Sequence, residues 1–101
     1  MSYRDDVARA RRLSILQLLY FAADYVLPRT LLCEQLCRTG YMTSRDLLDT
    51  ELAWLAEQGL VDALELDVVR LTQRGQDVAF GRSETPGVRR PGPNERIGNG
   101  T

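Results

Sequence analysis

One stretch limits what this chain can fold into more than any other: residues 43 to 61, TSRDLLDTELAWLAEQGLV, read as a single helix closed at both ends. Thr43 or Ser44 can accept from the free amides of the first turn, Asp46 sits where the helix dipole favours an anion, and Gly59 can take the left-handed closing position. Leu48, Leu52 and Leu55 fall on one stripe, with Leu47 and Trp54 on its shoulder, so that side must pack on other elements. The positions turned outward are then Asp46, Asp49, Thr50, Ala53 and Glu57.

After this helix come two short β-prone runs that turn near Asp67, and then a helical turn capped at Thr72. Before it, periodicity gives a first helix from Ser2 or Tyr3 to about Ala23, with Leu13, Leu16, Leu19, Tyr20 and Ala23 facing inward. Val7, Leu18 and Phe21 fall on nearly the opposite side, so this helix needs two partners. Either the hairpin and the last helix cover the second stripe, or the same stripe of another copy does, as a homodimer interface. Asp24 ends the helix, and Tyr25-Val26-Leu27 suits a short edge strand. Pro28 fits the first turn of a second helix over Arg29 to Arg38, which should bury Leu31, Leu32 and Leu36 and close at Gly40.

The order of helix, short strand, helix, capped helix and hairpin, ending in Leu71-Thr72-x-x-Gly75 with Ala79, resembles bacterial winged helices of the MarR, ArsR and PadR kind over residues 4 to 81. SRDLLDTELAWLAEQGLV, LTQRGQDVAFGR and PGVRRPGP are together similar to a small winged-helix protein of Mu-like transposable phages and prophages. The expected fold class is therefore mainly α with a small antiparallel β wing (α+β), a winged helix-turn-helix, over residues 1 to 81. Residues 82 to 101 hold four Gly and three Pro with two aliphatic side chains, a composition that cannot offset the entropy of ordering, and the expectation there is a flexible basic tail.

At 101 residues the chain is one domain, and a core of this size buries roughly 60% of its unfolded surface. No apolar run approaches the roughly 20 residues of a membrane span, and the charged start MSYRDDVARARR does not look like a secretory signal. A protein of the bacterial cytoplasm is expected, or one associated with the virion if it acts in assembly. All 13 basic residues are Arg, and the net charge of −1 gives no general polyanion-binding surface. The charge is uneven: 9 Arg against 12 acids up to residue 81, and 4 Arg against 2 acids beyond.

The sequence has no histidine, which removes Cys-His and Ser-His-acid nucleophiles and most catalytic zinc sites; with no glycine-rich phosphate loop either, no enzyme and no cofactor are expected. Cys33 and Cys37 are spaced i, i+4 on the second helix, so both thiols share one face. Two thiolates make half a zinc site; small buried apolar residues are the plainer expectation, with no metal.

A winged helix lays its third helix in the DNA major groove, so the resemblance implies double-stranded DNA as partner. Ser44, Arg45 and Thr50 on that helix, with Arg70 and Arg74 beside the wing, are the candidate contacts, and Arg89 and Arg90 add candidate tail contacts to phosphate or carboxylate. Arg9, Arg11 and Arg12 read as a solvated patch beside Asp5 and Asp6. Against DNA stand Asp46, Asp49 and Glu57 on the outward face, since acids there oppose phosphate. The alternative is a protein-interaction module in phage assembly or DNA packaging, with the same fold and a phage protein as partner.

Overall fold

The computed structural model describes residues 2 to 64 and 67 to 92. Helix α1 runs Tyr3–Phe21, a 3-10 turn occupies Ala23–Tyr25, and strand β1 is Val26–Pro28. Helices α2 (Arg29–Arg38) and α3 (Arg45–Glu57) follow, then strands β2 (Val61–Leu64) and β3 (Val68–Leu71), and helix α4 (Gln73–Phe80). The three strands form one antiparallel sheet in the order β1-β3-β2, with Leu27 opposite Val69 and Val61 opposite Leu71. The molecule is thus mainly helical α+β, and this order of elements is consistent with the winged-helix arrangement.

Local chemistry sets these limits. Ser2, Ser44 and Thr72 each accept an amide hydrogen bond from three residues on, which starts α1, α3 and α4. Asp67 supplies the left-handed position of the hairpin turn at φ +59. Its carbonyl accepts from the Arg29 amide at 2.8 Å and so ties the hairpin to the start of α2. The stripe Leu48, Leu52 and Leu55 is buried as its spacing requires, and joins Leu16, Leu19, Leu32, Leu36, Val69 and Leu71 in one core.

Several expectations change. Helix α1 stops at Phe21, leaving Ala23 exposed, because Ala22 turns to extended backbone (ψ 151), and Asp24 and Tyr25, at positive φ (57 and 61), then keep the helix from resuming. Ile15, flanked by the inward positions, is fully buried. Leu31 is 37% exposed, since α2 meets the core through Leu32 and Leu36. Pro28 ends β1 instead of entering α2. Helix α4 packs along α1; Val7 and Leu18 are half-buried, Leu18 against the main core, while Phe21 stays 75% exposed.

The segment after α4 differs most from its expected freedom. Residues 82 to 92 lie as a strap against α1 and α3, and residues 93 to 101 of the expected tail are outside the described residues. Thr85 and Pro91 are buried, Val88 packs on the core, and the Arg89 amide donates to the Arg9 carbonyl at 3.2 Å. The physical reason is local. Gly87, at φ +97, lies so close beneath Trp54 that an added Cβ would stand 2.7 Å from its ring, and Arg12 donates to the Gly87 carbonyl at 3.0 Å. Few apolar residues suffice when a backbone can approach that closely.

Candidate nucleic-acid interface

The outward face of α3 is where its spacing placed it: Asp46, Asp49, Thr50, Ala53 and Glu57 are all exposed. Ser44 is occupied in structure, its hydroxyl accepting from the Leu47 amide at 3.1 Å as the cap of α3. Thr50 donates its hydroxyl to the Asp46 carbonyl at 3.1 Å, the back-bond that a mid-helix threonine makes when nothing else claims it. Thr43, the other cap candidate, is buried and donates to the Tyr41 carbonyl.

The candidate arginines divide into two kinds. Arg70 pairs with Asp62 across the hairpin at 3.3 Å, both about half exposed, an ion pair of small energetic weight. Arg45 is exposed and donates to the Thr30 hydroxyl at 3.3 Å, and Arg74 is exposed with no ion pair among the described residues. Arg45 starts α3. The Arg74 stem lies at the other end, 3.8 Å from where a Cβ on Gly59 would stand.

The sequence reading missed one member of this face. Arg29, at the start of α2, donates to Asp49 at 2.5 Å, so one of the three outward acids of α3 is already neutralised. Nothing local in the sequence pairs residues 20 positions apart, and only the crossing of α2 with α3 brings them together.

Elsewhere the arginines serve the fold. Arg11 and Arg12 are not a solvated patch: they donate to the two carboxylate oxygens of Glu51, at 2.9 and 3.1 Å, and Glu51 is buried. Its position carried a signal, because residue 51 lies on the buried stripe between Leu48 and Leu55, where a carboxylate requires a cationic partner. Of the two tail arginines, Arg90 pairs with Glu84 at 2.5 Å, and the Arg89 backbone is bound to α1. The structure does not bring them to the α3 face as free contacts, since the strap carries them along α1.

Cys33 and Cys37 are free thiols, both half-buried, and both point at the Thr43 carbonyl, at 3.2 and 3.8 Å. Partial burial pushes the Cys33 thiol up from its ordinary value, and the neighbouring Cys37 adds to this while Arg45 opposes it. A protonated thiol that donates to a carbonyl acts as packing here. Among the described residues there is no group of three or more His, Cys, Asp or Glu able to hold a metal ion. No helix of these residues is long and apolar enough to cross a membrane.

Neither a protein-family model nor a solved structure matches the chain. Over 57 residues it is 51% identical to uncharacterized protein gp26 of Escherichia phage Mu, a match covering 54% of this chain and 59% of that protein. The chain thus spans less than two thirds of gp26. Over 95 residues it is 33% identical to an uncharacterized protein of Haemophilus influenzae, covering 85% of this chain and 92% of that protein. With nearly the whole Haemophilus protein aligned and the phage protein matched at higher identity, the chain belongs to the family of these two proteins and is a relative of a phage Mu protein.

Proposed function

We propose that the protein is a DNA-binding module of a phage or prophage, a regulator or a DNA-handling accessory, that holds duplex DNA mainly through its backbone. The observation carrying this reading is the placement of Arg45 and Arg74 at opposite ends of the exposed α3 face, neither in an ion pair with a described carboxylate. By helical rise the ends of α3 are about 20 Å apart, enough to reach phosphates on both walls of a major groove about 12 Å wide. Ser44 and Thr50 are engaged with backbone, so the face offers few groups for reading bases, and affinity should depend little on sequence. In this reading a homodimer through the α1 end that carries Phe21 would double the contacts.

Fluorescence anisotropy with unrelated duplexes tests it. If Arg29, Arg45 and Arg74 and the hairpin's Arg70 each meet a phosphate, the slope of log K against log salt is about −4 per monomer. Arg45→Ala and Arg74→Ala should each weaken all duplexes alike. A different observation favours a second reading: Asp46 and Glu57 are exposed beside Ala53, with no ion pair among the described residues, a surface suited to a basic protein partner in phage assembly or DNA packaging. No binding to any duplex at about 50 mM salt, where phosphate contacts are strong, would favour that module.

A further inference from the structure

Three groups from two helices converge beside the hairpin turn. Helix α2 begins after Pro28 with no side-chain cap and no acid in its first turn, and its first amide, that of Arg29, donates to the Asp67 carbonyl. Arg29 and Thr30 are its first two residues. Arg45 of α3 reaches across to the Thr30 hydroxyl at 3.3 Å, and Asp49, one turn further along α3, receives the Arg29 guanidinium at 2.5 Å. Arg45 and Asp49 are i, i+4 on the same helix face, so the two guanidiniums and the hydroxyl lie within about a turn of each other. Asp49 engages one terminal nitrogen of the Arg29 guanidinium, whose side chain is 21% exposed, so the fork retains donor capacity that Asp49 does not use.

We propose that Arg29, Thr30 and Arg45 form a site for one backbone phosphate of duplex DNA, and that the Asp49 carboxylate is its built-in competitor. The proposal rests on the DNA-binding reading above. Asp49 is half exposed and anionic, and it already occupies the place beside Arg29 that a phosphate oxygen would take. A phosphate offers what the carboxylate cannot: several acceptor oxygens, enough for both guanidiniums and the Thr30 hydroxyl at once. On docking, Arg29 exchanges Asp49 for phosphate and Asp49 turns to solvent. The net gain is small because one ion pair is broken as another forms. Asp49 thereby keeps nonspecific affinity low without weakening the fold, since an exposed pair of this kind contributes little to stability.

The test compares Asp49→Asn with Asp46→Asn. Both remove one exposed negative charge from α3, but only Asp49 holds Arg29. Anisotropy titrations of a labelled duplex at low salt should show Asp49→Asn binding about three- to ten-fold tighter than the unmodified chain, and Asp46→Asn about two-fold tighter. In an Arg29→Gln background the advantage of Asp49→Asn over Asp46→Asn should vanish. Gln keeps part of the side-chain stem, and melting curves of each variant confirm folding. Equal gains for the two Asn variants, or a gain at residue 49 that survives Arg29→Gln, would overturn the phosphate site while leaving DNA binding intact. Failure of all these proteins to bind any duplex would overturn the DNA-binding reading and the site with it.

Discussion

The guanidinium of Arg12 lies over Trp54, its central carbon 4.4 Å from the ring centre, while the same side chain binds Glu51 and the Gly87 carbonyl. One residue of α1 thus joins α3 to the strap. Stacking on the ring leaves the guanidinium edge free to donate in its plane, which is why an arginine can make all three contacts at once and a lysine could not.

Removing the strap should therefore be costly. Ending the chain after Arg82 takes away Val88 from the core, the buried Thr85 and the covering of Trp54. A loss of about 2 kcal/mol follows from that burial, and in a domain this small it lowers Tm by roughly 10 °C. Gly87→Ala in the full chain should act in the same direction, by about 1 to 3 kcal/mol, since its Cβ meets the Trp54 ring at 2.7 Å and its φ is +97. A thermal melt reads both. An unchanged Tm for the truncated chain would mean that the strap adds nothing to stability.

Glu51→Ala should destabilise by about 2 to 4 kcal/mol in urea denaturation, because it leaves Arg11 and Arg12, with side chains only 14% and 21% exposed, facing each other without their carboxylate. Glu51→Gln keeps an acceptor and should lose roughly half as much. Glu51→Met tests the remaining point: an apolar replacement that left stability low would locate the cost in the stranded arginines and not in lost volume.

The helices and hairpin were legible in the sequence because each rests on local signals: caps at Ser44 and Thr72, the leucine stripe of α3, and Asp67 at the turn. The outward face of α3 was legible for the same reason, as periodicity alone fixes which side a helix turns away from its core. What escaped depends on contacts distant in sequence. Arg29 meets Asp49 only through the crossing of two helices, and Arg12 meets Gly87 at a separation of 75 residues. The strap was missed because composition counts apolar side chains, whereas this segment is held by a glycine backbone under a tryptophan and by a carbonyl on an arginine. Glu51 could have been found, since an acid on a buried stripe states its need for a cation.

Cys33 gives a pH and reactivity prediction. Its thiol has a folded-state pKa raised by burial first and by Cys37 second, so the folded chain holds that proton more tightly than the unfolded one. The contribution is therefore present below the ordinary thiol pKa and is lost as pH rises through the raised value, which makes the folded state less favoured in the alkaline range only. Iodoacetamide should alkylate Cys33 more slowly in the native chain than in urea at pH about 8, because the thiolate is the nucleophile. Cys33→Ala should remove the difference at that site. Native alkylation at least as fast as in urea would show a lowered pKa instead.

The last expectation concerns α1. Val7 and Leu18 are half-buried within one chain, which leaves Phe21 as the strongly exposed residue of the second stripe, standing edge-on to Tyr20 with ring centres 5.7 Å apart. Tyr20 in turn contacts Tyr25 at 5.8 Å, so Phe21 caps a small aromatic group at the point where α1 gives way to β1. A second copy meeting this group across a two-fold axis would bury Phe21 against its own equivalent. Light scattering at micromolar concentration should then give about twice the chain mass of 11.4 kDa, and Phe21→Asp should restore the single mass while the chain stays folded, because Phe21 contributes little to the core of one chain. An unmodified chain that stays at single mass into the high micromolar range would show that Phe21 makes no such contact between copies.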